Sequence, residues 1–158
     1  MPDERRPLTA SFERFCACLN HFAVEYLVVG SEAVAFHGVP RYSVDFDTFV
    51  QATASNLFRV KAALERFGLV DLAAKIDPET WARSGATLRL GEPPTQIDIL
   101  LQLSGVDFRG VAARALEGRY GDTAVRFIAL DDLIENKRAA GRPKDLADVA
   151  ALESAGKD

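Results

Sequence analysis

Apolar residues recur at helical spacing near the start of the chain. Phe12, Phe15, Cys16, Leu19, Phe22 and Ala23 share one face, so the pattern predicts a helix capped by Thr9 or Ser11 and reaching about Ala23. The run Val24–Val29 is continuously apolar and predicts a short strand buried on both faces. A Gly30-Ser31 turn, a short helix over Glu32–Phe36 and a loop through Gly38 and Pro40 follow. They lead to a second strand carrying Asp45 and Asp47.

Further on, Leu57, Val60, Leu64 and Phe67 mark the buried side of a helix that Ser55 caps and Gly68 ends. Leu69–Ile76 fits either a strand or a helical turn. Asp77-Pro78-Glu79 reads as a cap, a proline in the first helical position and an acid in the first turn, and Gly85 keeps that helix short. Ala86–Leu90 and Thr95–Leu101 flank Gly91-Glu92-Pro93-Pro94 as a hairpin. Phe108–Leu116 predicts a helix and Thr123–Ala129 a strand. Asp131 and Asp132 open a helix holding Leu133, Ile134 and Lys137, which Gly141 closes. Pro143 begins a last helix through Leu146, Val149 and Leu152. The alternation of elements predicts an α/β (α+β) chain, a mixed β-sheet flanked by helices, with helices at the C-terminal end. No repeat, low-complexity segment or linker divides it, so residues 1–158 read as one domain with a core over about 9–153 and loose first and last residues.

Asp45 and Asp47 change the picture from fold to chemistry. The strand period of two puts both carboxylates on one face, with Phe46 and Thr48 on the other. Two acids side by side repel each other, and a divalent cation compensates them. Carboxylate oxygens suit Mg²⁺, which completes its shell with water and phosphate oxygens. Gly30 lets backbone approach a ligand closely. Ser31 and the free N–H groups of the helix behind it suit an anion. A triphosphate between this turn and the acid pair would meet donors on one side and metal on the other. Asp98, a lone acid between Ile97 and Ile99, either faces that pair or lies on an exposed sheet face.

Lys137, Arg138, Arg142 and Lys144 form a late basic cluster. It reads equally as a phosphate or polyanion contact and as helix-end charge compensation. Lys137, on the face of Leu133 and Ile134, has the stronger claim to point inward. Arg41 can reach a phosphate or neutralise the acid pair. Trp81 reads as a packing residue and His37 as a helix-end residue. Cys16 and Cys18, at i and i+2, face different ways on a helix, which excludes a bridge between them and favours small packing residues in a reducing compartment.

Composition sets the remaining limits. The chain of 158 residues is 48% hydrophobic and 27% charged, a globular balance. Its net charge of −4 argues against a general nucleic-acid coat protein. No apolar run approaches the ~20 residues of a membrane span, and no signal-type stretch follows the N-terminus, so a cytoplasmic protein with no membrane partner is expected.

The order apolar strand, Gly30-Ser31, Asp45-Phe46-Asp47, then Asp98 in QIDIL, resembles the nucleotidyltransferase superfamily of DNA-polymerase-β type. YLVVGSEAVAFHGVPRYSVDFDTFV and LDDLIENKRAAGRPKDLADVAAL carry the likeness over roughly Tyr26 to Leu152. More narrowly, the chain is similar to small stand-alone members related to abortive-infection toxin–antitoxin transferases. The resemblance implies the nucleotidyltransferase fold, two Mg²⁺ (or Mn²⁺) ions and a nucleoside triphosphate such as ATP. It implies transfer of a nucleoside monophosphate to a hydroxyl on a protein, RNA or small molecule, and a possible cognate toxin or antitoxin. Asp45, Asp47 and Asp98 would be catalytic and ligate metal, with Asp98 as base. Gly30, Ser31 and Lys137 would hold the nucleotide. The alternative is an inactive binding module of the same fold that acts through a protein partner.

Overall fold

A computed structural model describes residues 7–41 and 45–156. The loose ends expected at both termini, and positions 42–44 of the loop before the acid pair, lie outside the described residues. Among those described, eight helices flank a mixed six-stranded sheet. The chain runs α1 (Pro7–His21), β1 (Tyr26–Val29), α2 (Gly30–Phe36), β2 (Asp45–Val50), α3 (Ala54–Phe67), α4 (Val70–Ala74), α5 (Pro78–Ser84), β3 (Leu88–Leu90) and β4 (Gln96–Leu100). It ends with α6 (Phe108–Arg114), β5 (Leu116–Tyr120), β6 (Thr123–Phe127), α7 (Leu130–Ala140) and α8 (Pro143–Ala155).

The sheet order is β3-β4-β2-β1-β6-β5. Strand β2 pairs antiparallel with β1 and parallel with β4, so it sits inside the sheet. All four residues of β1 are buried, as its unbroken apolar run predicts. Phe46 is fully buried and stacks on Phe12 of α1 at 4.9 Å. Phe49 meets Phe108 of α6 edge-on at 5.3 Å. Because side chains alternate along a strand, α1 covers the Phe46 face, and the aspartates of β2 open onto the opposite face. The buried apolar cluster extends from Phe12 to Leu152.

Element ends show where local pattern and structure part. Helix α1 starts at Pro7, ahead of both expected caps, Thr9 and Ser11. It stops at His21 because Ala23 takes φ 54°, while the Val24 N–H reaches the Leu19 carbonyl and the Ala23 N–H that of Asn20. This is a Schellman ending with alanine where glycine is usual, so it carries no glycine signal. Thr53, not Ser55, caps α3 by accepting from the Asn56 N–H. Gly68, at φ 113°, ends α3 as expected. Leu69–Ile76 resolves as the helical turn α4. Asp77 caps α5 with Pro78 at its start, Gly141 closes α7 and Pro143 opens α8, all as the pattern predicts.

Strand β5 is a correction. Helix α6 ends at Arg114, and Leu116–Tyr120 form an edge strand paired with β6. Its sequence, LEGRY, lacks clean alternation, and Gly118 weakens any local strand signal. That glycine has a packing reason: a Cβ there would fall 2.9 Å from the Phe127 ring and 3.0 Å from that of Phe36. Those two rings stack at 4.1 Å.

Candidate functional site: an acidic cleft at the β2–β4 seam

Parallel pairing sets Asp47 opposite Asp98 and Asp45 opposite Gln96. Residues opposite each other in a sheet share a face, so the three carboxylates converge. Each offers an oxygen, and these atoms lie within 4.8 Å of one another. Asp98 therefore faces the acid pair and is buried rather than lying on an exposed sheet face.

Gly30 begins α2 at φ 67°, two residues earlier than the helix predicted from Glu32. A Cβ on it would sit 2.4 Å from Asp47 Oδ2. Glycine is needed here twice over, for its left-handed backbone and for the space the carboxylate occupies. Ser31 follows in the first turn and is half-buried, and it is not among the residues lining the cleft.

Asp98 is held from two sides. Gln96 Nε2 donates to both its oxygens at 3.2 Å. Arg89 Nε donates to Oδ1 at 3.1 Å from the edge strand β3, whose register sets Arg89 opposite Asp98. On the other face Thr48 donates its hydroxyl to the Asp98 carbonyl at 3.1 Å. Burial first, then the charges of Asp45 and Asp98, push the Asp47 carboxyl up to about 7, while Lys137 works the other way.

The far wall comes from α7 and α8. Lys137 points inward, its side chain 12% exposed, and pairs with Asp145 at 3.5 Å and Asp148 at 3.1 Å. Burial lowers its pKa, and Asp145 counters that shift. Asp145 also accepts from the Arg142 backbone and guanidinium. Burial works to raise the Asp145 carboxyl, but the bond from Arg142 and the charge of Lys137 hold it below its ordinary value. Arg41 pairs with Asp148. Of the basic cluster, Lys137, Arg142 and Lys144 line the cleft, whereas Arg138 pairs with Glu153 elsewhere.

Together these groups bound a cleft of roughly 380 Å³. Leu100, Leu103 and Ala140 give it an apolar side, and Gln102, Ser104 and Asn136 a neutral polar one. Its donor set is carboxylate oxygen, with no cysteine or histidine among the lining residues, and that chemistry fits a hard divalent cation.

Sequence reasoning passed over Arg89, Gln96, Asp145 and Asp148. A signal existed for the first two: matching Leu88 and Leu90 against Ile99 and Ile97 across the hairpin sets Arg89 beside Asp98. Asp145 reads as an acid of a helix's first turn and Asp148 as an ordinary polar position further along the same helix. His37 and Trp81 take the roles expected of them. His37 ends α2 with Nε2 2.8 Å from the Ile128 carbonyl, and Trp81 packs on the core and donates to the Ala86 carbonyl. Cys16 and Cys18 are free and buried, and burial pushes the Cys16 thiol up to about 12. No helix among the described residues is long and apolar enough to cross a membrane.

No protein-family model matches the chain, and no curated protein is significantly similar to it.

Proposed function

We propose that this chain is a metal-dependent nucleotidyltransferase, with the nucleotidyltransferase form of the mixed α/β fold. It moves a nucleoside monophosphate from a nucleoside triphosphate to a hydroxyl on a protein, an RNA or a small molecule. The observation that carries the reading is the meeting of Asp45, Asp47 and Asp98 across the parallel β2–β4 pair, beside a glycine that leaves Asp47 its space.

Asp45, Asp47 and Asp98 would hold Mg²⁺ or Mn²⁺, one ion or two. When bound, the metal supplies charge stabilisation at the phosphoryl oxygens. The chain's own residues do the rest. Gly30 meets the phosphates from the sheet side and Lys137 meets them from α7, while Ser31 lies outside the cleft lining. Asp98, fixed by Gln96, takes the proton of the acceptor hydroxyl. The acceptor oxygen bonds to the α-phosphorus, the bond from that phosphorus to the bridging oxygen breaks, and pyrophosphate leaves with the electron pair. Positive side chains at Lys137, Arg142 and Lys144 favour the charge that builds up on the departing pyrophosphate.

The test is thermal unfolding of wild type and Asp45→Asn/Asp47→Asn with Mg²⁺ or Mn²⁺, with and without ATP, CTP, GTP and UTP. A metal-dependent rise with a nucleotide, lost in the variant, supports the reading. No rise with any nucleotide rejects it and favours a binding module that acts through a protein partner.

A further inference from the structure

Arg89 differs from Lys137 and Arg142 in its partner. Lys137 pairs with Asp145 and Asp148, and Arg142 with Asp145, acids of α8 that are not among the proposed metal ligands. Arg89 pairs instead with Asp98, one of the three carboxylates that would bind metal. It occupies an oxygen, Oδ1, that a cation would use.

Three features show that this contact can be given up. Strand β3 is a three-residue edge strand, held by Leu88 and Leu90 on its inner side, so Arg89 is not needed to seat it. The Arg89 side chain is 65% exposed, so swinging into solvent costs it little burial. Gln96 holds both oxygens of Asp98 from within β4, so the carboxylate keeps its orientation when Arg89 leaves. Once Asp98 is taken by a cation, Arg89 stands at the cleft wall with its charge unpaired, and the anion it can meet there is a polyphosphate.

Resting on the metal-site reading above, we infer that Arg89 is an exchange residue. It neutralises Asp98 in the metal-free cleft and moves to the substrate's phosphates when a divalent cation binds. Metal and triphosphate then favour each other's binding, because each releases Arg89 for the other. A planar guanidinium suits both partners, since it bonds carboxylate and phosphate alike.

The test measures binding rather than turnover. Mn²⁺ alone is titrated into wild type, Arg89→Gln and Arg89→Lys, and then inorganic triphosphate is titrated with Mn²⁺ present. Removing the charge that competes at Asp98 raises Mn²⁺ affinity roughly three- to tenfold in Arg89→Gln. The same variant binds Mn²⁺–triphosphate several-fold more weakly, about three- to tenfold by the usual strength of a charge-assisted phosphate contact. Arg89→Lys keeps the charge and stays within about twofold of wild type for Mn²⁺. The opposite signs distinguish exchange from a structural role, which would weaken both. Unchanged or weaker Mn²⁺ binding in Arg89→Gln, with wild type binding Mn²⁺, overturns the exchange and leaves the metal reading intact. Tighter Mn²⁺ with unaltered triphosphate binding also overturns it. Failure of both proteins to bind Mn²⁺ rejects exchange and metal reading together.

Discussion

Asp47 and Asp98 stand directly opposite each other on parallel strands, with carboxylate oxygens within 4.8 Å of each other. Two carboxylates held this close favour a proton on one of them. Burial and the neighbouring charges of Asp45 and Asp98 raise the Asp47 carboxyl from 3.8 to about 7. A site built to concentrate negative charge thus holds a proton in the pH range where a metal would replace it.

A pH-dependent stability follows from that raised value. The folded chain keeps the Asp47 proton to higher pH than the unfolded chain does, so this group favours folding at low pH. That contribution is full below about 4 and is lost as pH rises through about 7. Asp47→Asn cannot lose a proton there. In chelator, urea denaturation of the two proteins should agree near pH 4, diverge in favour of the variant up to about 7, and run parallel above it. A difference that stays constant with pH would show that Asp47 keeps an ordinary carboxyl.

Gly30→Ala should damage both stability and site. The backbone at φ 67° disfavours a Cβ, and the added atom meets Asp47 Oδ2 at 2.4 Å. The conformational part alone is about 1–2 kcal/mol. The carboxylate must also move, so Mn²⁺ affinity should fall together with the denaturation midpoint. A variant that loses stability but binds Mn²⁺ as wild type would separate the glycine from the site.

Lys137→Met tests the far wall. It leaves the buried Asp145 and Asp148 with Arg41 and Arg142 as their remaining cations. Losing the inner partner of two buried acids should cost about 1–3 kcal/mol, below the figure for a fully orphaned pair because those arginines stay. Lys137→Arg should recover part of the stability. Calorimetric melting of the three proteins decides it, and equal midpoints would place Lys137 outside the charge network.

Phe46→Ala should lower stability by about 3–5 kcal/mol, as a large core ring is removed. Phe46 sits between the two aspartates in sequence, is fully buried and stacks on Phe12. Denaturation in urea at pH 8 measures the loss. A small change would mean that α1 collapses onto the space.

Much of the site could be read locally because its residues belong to one short stretch with a strict period. Gly30, Asp45 and Asp47 follow from strand alternation and a turn, and Asp98 from being an acid in an apolar run. The cluster near Lys137 carries two equal readings in the sequence, since helical spacing points Lys137 inward without saying what it meets. The structure divides the cluster: Arg138 turns to Glu153, while the others line the cleft. Strand β5 escaped for a related reason, as its residues pack on Phe36 and Phe127 from elsewhere in the chain.

Local pattern was enough to determine the longer helices, the inner strands and the acids on one face of β2, because side-chain direction repeats with backbone geometry. Tertiary structure decided which strand lies next to β2. Parallel pairing with β4, between residues some fifty positions apart, brings Asp98 level with Asp47, and the β3 hairpin brings Arg89 onto Asp98. It also decided that α8 supplies the buried acids that hold Lys137. Register between distant segments is settled by packing the whole core at once, and no single segment of the sequence contains that information.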